Sequence, residues 1–117
     1  MKLAPIRDHS SPEQDLAHVL HDAYNCFRAV LGQRSIYDAQ ARTLTGRVDC
    51  YKRGHDGIVV AQQIVHEGLD GPKTLPWVEK QPRDEAQMKR EATRALRTIR
   101  ELEKRYRVSA DSGDVVR

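Results

Sequence analysis

The sequence predicts an all-α protein, a compact four-helix arrangement with a long C-terminal helix. Three observations carry this. Apolar side chains recur at alternating spacings of four and three residues, single glycines stand where those stripes stop, and Ser or Asp stands where they start. Residues 1–10 have no periodicity and read as a flexible arm, residues 11–107 as a single helical domain, and residues 108–117 as a disordered tail.

The first helix starts at Ser11, an N-cap residue followed by Pro12 at the first helical position. Glu13 and Asp15 suit the positive end of its dipole. Leu16, Leu20, Ala23, Phe27 and Val30 form its stripe, and Gly32 is placed to end it in the left-handed conformation. The second helix begins at Ser35, where Ser35-Ile36-Tyr37-Asp38 resembles a capping box. Tyr37, Ala41, Leu44, Val48 and Tyr51 carry its stripe, and Gly54 follows Lys52 and Arg53. A rival pattern overlaps it. Residues 44–50 also alternate, with Gly46 inside, which would give a strand and a short hairpin within residues 43–65 through Arg53-Gly54-His55-Asp56-Gly57. The helical stripe is longer and is signalled at both ends.

Asp56 is positioned to cap a third helix, in which Val59, Val60 and Ile64 broaden the face made by Ile58, Ala61 and Val65. So wide an apolar face predicts a central, buried helix that ends at Gly68 and Leu69. Residues 70–82 hold three prolines and Gly71 and read as a loop, pinned to the core by Leu75 and Trp77. The last helix is expected over residues 83–107, with Met88, Ala92, Ala95, Ile99, Leu102 and Tyr106 as its stripe. At 1.5 Å per residue it measures about 37 Å. That length leaves room for part of it to project or to pair with a second copy as a homodimer.

Composition narrows the function classes. With 117 residues the chain suits one domain with a modest core, and 32% charged residues of both signs are not a disordered composition. No apolar run approaches the roughly 20 residues that span a bilayer, and residues 1–8 lack a signal peptide's apolar stretch. Cys26 and Cys50 are the two cysteines, both inside expected helices, and read as reduced thiols of a cytoplasmic protein.

Metal and catalytic motifs are sparse. His18 and His21 have helical ligand spacing, but Cys26 is too far round and no fourth ligand follows, so no metal or cofactor is expected. There is no glycine-rich phosphate loop and no GxSxG, and acidic pairs such as Asp84 and Glu85 sit at helix starts where the dipole explains them. An enzyme is therefore not expected.

The net charge of +3 has an address. Residues 1–82 hold ten basic and ten acidic side chains, whereas residues 83–107 hold nine and five. Arg90, Arg94, Arg97 and Lys104 share one face of the last helix, with Lys89 beside them. Such a stripe suits nucleic-acid phosphates or an acidic protein surface. It competes with a plainer pattern of solvated pairs, Glu85–Lys89, Glu101–Arg105 and Glu103–Arg107, each in the favourable helical orientation. No aromatic side chain interrupts the stripe, which speaks against single-stranded nucleic acid.

One resemblance covers about a quarter of the chain. Leu16-Ala17, then His21-Asp22 and Tyr24, resembles the opening of the RyR-type repeat, a small helical module that also occurs in short bacterial and phage proteins. Leu75-Pro76-Trp77-Val78-Glu79, with Pro82, Asp84 and Glu85, resembles that module's turn into its final helix. The module's intervening tryptophan and glycine segment is missing, and residues 35–68 stand in its place. The resemblance implies a partner- or ligand-binding module, for a nucleotide-like ligand, with His21, Tyr24 and Trp77 around the pocket.

Together these readings point to a small non-enzymatic binding protein, phage- or mobile-element-encoded, that occludes a host protein or complex, anti-CRISPR-like inhibition included. The alternatives are a nucleic-acid-binding regulator using the basic last helix and a nucleotide-binding RyR-like module.

Overall fold

The computed structural model describes residues 11–74 and 78–116. The described residues are mostly helical and form three α-helices and a two-stranded sheet. The helices are α1 (Pro12–Val30), α2 (Leu44–Gly68) and α3 (Glu85–Tyr106), and the strands are β1 (Val108–Ser109) and β2 (Asp114–Val115). The expected arm at residues 1–10, and Leu75 and Trp77 of the loop, lie outside the described residues.

α1 begins and ends as its sequence signals. Ser11 accepts a hydrogen bond from the Gln14 amide at 3.0 Å, with Pro12 in the first turn. At the other end, Gly32 takes φ +75°. Its amide donates to the Ala29 carbonyl at 3.1 Å and the Gln33 amide to the Arg28 carbonyl at 2.9 Å, the paired bonds of a Schellman ending.

The second and third expected helices are one helix, and it starts later. Ser35 and Asp38 do pair, the Ser35 amide donating to the Asp38 carboxylate at 2.8 Å, but no α-helix follows. The Ser35 hydroxyl is spent on α1 instead, donating to the Asn25 carbonyl at 2.6 Å, while Asn25 accepts from the Ile36 amide through its side chain at 3.2 Å. The chain therefore runs across α1 as a turn and a short 3-10 segment, Gln40–Arg42, before Thr43 caps α2 by accepting from the Gly46 amide at 3.0 Å. The strand pattern at residues 43–52 is not used either, for these residues enter α2.

Gly54 does not stop α2, because its role is close approach. A Cβ there would lie 2.8 Å from the ring of Phe27, and one on Gly57 would lie 3.0 Å from the Ala23 methyl. The two glycines let α2 cross α1 almost backbone to side chain. Phe27 then meets Tyr51 edge-on, with ring centroids 5.7 Å apart.

The central element is α1, not the C-terminal half of α2. α1 touches α2, α3 and both strands, while α2 and α3 scarcely meet. Ile58, Ala61 and Val65 are buried, but Val59 and Val60 of the broad face are 39% and 43% exposed. Leu44, expected within the buried stripe, is half exposed.

α3 follows its predicted stripe. Met88, Ala92, Ala95, Ile99 and Leu102 are buried, and Asp84 caps the helix by accepting from the Gln87 amide at 2.8 Å. The stripe from Met88 to Leu102 is buried on the side that meets α1. Before α3, Val78 is fully buried and Tyr51 donates its hydroxyl to the Glu79 carbonyl, so Val78 anchors the described part of the loop.

Residues 108–116 correct the expectation of a disordered tail. Arg107 turns the chain with φ +57°, and β1 and β2 pair antiparallel, Val108 opposite Val115. Val108 and Ala110 are buried against the core. The turn closes at Gly113, whose φ of +74° suits glycine.

Candidate functional site: the cationic face of the last helix

α3 presents its cations outward because its apolar stripe points to α1. Lys89, Arg90, Arg94, Arg97 and Lys104 are all exposed. Their surroundings differ. Lys89 stands 3.9 Å from Glu85, and Arg94 3.5 Å from Glu91. Among the described residues Arg90, Arg97 and Lys104 make no ion pair. They recur every seventh residue, a rise of about 10 Å from one to the next.

Three of the four acidic residues of α3 are engaged with the scaffold, and the fourth, Glu101, is exposed. Glu85 pairs with Arg47 of α2 at 2.9 Å. Glu91 accepts from the Glu79 amide at 3.0 Å and holds the preceding loop. Glu103 accepts from the Ala110 amide at 2.7 Å and from Arg100 at 2.8 Å, which ties the hairpin to the helix. Of the three solvated pairs expected within the helix, only Glu85–Lys89 forms among the described residues. Glu85, Glu91 and Glu103 have turned inward or sideways, and the excess positive charge is left on the surface.

Of the other expected site residues, His21 and Tyr24 are each held by contacts of the fold. His21 is half-buried, and its Nδ1 lies 2.8 Å from the Ala110 carbonyl oxygen, under the Gly113 turn. Tyr24 is 8% exposed and its hydroxyl accepts from Arg28 at 3.1 Å and Arg100 at 2.7 Å. Neither lines any of the described cavities, and Trp77 lies outside the described residues. A partly apolar groove of about 330 Å³ lies instead between α2 and the start of α3, lined by Leu44, Val48 and Met88 together with Lys52, Lys80 and Arg83. Sequence reasoning missed Arg28 and Arg100, although Tyr24 and Arg28 stand one helical turn apart.

A second polar cluster secures the connection between α1 and α2. Asp22 accepts from Arg53 at 2.9 Å and from the Tyr37 hydroxyl, and the Arg53 guanidinium lies over the Tyr37 ring. Burial pushes the Asp22 carboxyl up, but the hydrogen bonds from Arg53 and Tyr37 outweigh it and hold the group below its ordinary value. Burial, and then the neighbouring Asp22, push the Cys26 thiol up to about 12, so it stays protonated. Cys26 and Cys50 are both buried free thiols. Among the described residues no group of three or more His, Cys, Asp or Glu is arranged to hold a metal ion, and no helix is long and apolar enough to cross a membrane.

Comparison with protein-family models, with curated proteins and with solved structures finds no match to this chain.

Proposed function

We propose that this chain is a non-enzymatic binding protein that grips an acidic protein surface with the exposed face of α3. The partner is a host protein or complex, occluded by a phage- or mobile-element-encoded chain of this short, charge-rich kind. One observation carries the reading of the face: among the described residues Arg90, Arg97 and Lys104 make no ion pair and stand at heptad spacing, while Glu85, Glu91 and Glu103 are committed to the scaffold. Holding three cations apart on a helix serves recognition, because their backbone spacing is fixed before contact and only the side chains are ordered by it.

An acidic protein surface fits better than nucleic acid. Glu101 is exposed between Arg97 and Lys104 and opposes a phosphate backbone, whereas a protein surface of mixed sign accommodates it. A nucleotide pocket gains less support, since His21 is spent on the hairpin and Tyr24 on two arginines.

Fluorescence anisotropy with a labelled hexaglutamate peptide and a labelled DNA duplex tests the proposal. The peptide is expected to bind at low salt, and the triple change Arg90→Glu, Arg97→Glu, Lys104→Glu to weaken it by about tenfold or more, which is about 1.4 kcal/mol. Equal binding by variant and parent sinks the reading. Tighter binding to the duplex, with affinity falling steeply in salt, moves it to nucleic acid.

A further inference from the structure

Beside the cationic face, Tyr24, Arg28 and Arg100 form a cluster rich in donors and short of acceptors. The Arg28 Nη1 and Arg100 Nη2 groups both donate to the Tyr24 hydroxyl, at 3.1 and 2.7 Å. The same two guanidiniums lie over its ring, 5.0 and 4.6 Å from the centroid. A phenol oxygen accepts through its lone pairs and donates one proton. Here arginines occupy the accepting side, and among the described residues no acceptor receives the proton. Arg28 adds a second unmet donor, for its Nε is buried with no hydrogen-bond partner among the described residues. Buried donors without acceptors are costly.

Charge decides what would meet them. Arg100 is already compensated, its Nη1 lying 2.8 Å from Glu103 and 3.8 Å from Asp111. Arg28 has no carboxylate within ion-pair distance among the described residues. One uncompensated guanidinium and a free hydroxyl proton suit a monoanion, and a guanidinium edge matches the two oxygens of a carboxylate. A phosphate dianion would bring more charge than the cluster lacks.

We propose that Tyr24, Arg28 and Arg100 form an oxyanion site that receives a carboxylate. The source of that carboxylate, an Asp or Glu side chain of the partner, rests on the acidic-surface reading above. Arg100 stands three residues from Arg97 on α3, so the site continues the cationic face onto α1. The broad face supplies attraction to an acidic surface, and this cluster supplies one directed contact within it.

The test follows the arginine Nε–Hε resonances of the intact protein by NMR. Acetate, hexaglutamate and inorganic phosphate are titrated in turn, with chloride at matched ionic strength as control. Acetate and hexaglutamate are expected to move the Arg28 and Arg100 signals saturably, and phosphate to bind less tightly than acetate. Tyr24→Phe keeps the ring and loses the hydroxyl, and is expected to weaken hexaglutamate by about three- to tenfold. A missing acetate response at Arg28, or one that chloride reproduces, overturns the site, and tighter binding of phosphate overturns its assignment to carboxylate. Failure of the wider reading has another signature: acetate still moves Arg28, but hexaglutamate binds no more tightly than acetate and the triple glutamate variant behaves as the parent.

Discussion

The seam between α1 and α2 is closed by shape, whereas the seam between α1 and α3 has an apolar floor and a charged edge. In the first, Gly54 and Gly57 bring α2 onto Phe27 and Ala23, and Phe27 meets Tyr51 edge-on. In the second, Ala92, Ala95 and Ile99 are buried, while Tyr24, Arg28, Arg100 and Glu103 line the border. Close approach leaves the centre of the first seam no room for long polar groups, and Asp22 and Arg53 pair only at its edge. A border of long side chains joins the helices and still presents charge to solvent. Stability is therefore expected to depend most on the first seam, and binding on the second.

The largest effect belongs to Phe27. Phe27→Ala is expected to cost about 3–5 kcal/mol in denaturant unfolding, since the ring is fully buried. Gly54→Ala should come next, at about 1–3 kcal/mol, although alanine is the better helix former by about 1 kcal/mol. Combined with Phe27→Ala it should cost much less or become stabilising, because the ring it collides with is gone. Additive energies would break the close-approach account, for residues in contact couple.

The Asp22 cluster, which fastens the connection between the same two helices, is expected to matter less. Asp22→Asn should cost about 1 kcal/mol near neutral pH, since one partner, Arg53, is largely exposed. The folded carboxyl titrates below its unfolded value of about 3.8. Its contribution is thus complete above that value and lost as the pH falls through the lowered folded value. The gap between parent and variant should narrow from pH 5 to pH 2, and a gap independent of pH would remove Asp22 from the account.

The smallest effect on stability belongs to the second seam's outer face. Arg90→Glu, Arg97→Glu and Lys104→Glu should each change unfolding free energy by less than about 0.5 kcal/mol, while together they abolish most of the binding. A large loss of stability would show that these cations serve the fold.

Much of this was legible in the chain. Ser11, Pro12 and Gly32 bound α1 through bonds to their immediate neighbours, and the α3 stripe needs only a helical period to find its inward face. The basic stripe was legible for the same reason: a helix with an apolar side must display the other. Other features needed the partner element. Gly54 reads as a stop until Phe27 is seen above it, and Ser35 reads as a cap until Asn25 takes its hydroxyl. The Ser112-Gly113 turn between Val108 and Val115 is a hairpin signal in hindsight, but α1 and Glu103 hold it in place.

By itself, then, the sequence determined the helical class, both ends of α1, the buried stripe of α3 and the side of that helix on which its cations lie. Those features follow from period and from hydrogen bonds a few residues long. Tertiary structure alone decided that two expected helices are one, that α1 is the hub, and that residues 108–116 contribute a hairpin. It also decided that Glu85, Glu91 and Glu103 serve the scaffold while Arg90, Arg97 and Lys104 make no ion pair among the described residues. Each of these depends on which surfaces meet, and local spacing carries no record of the group that arrives from across the fold.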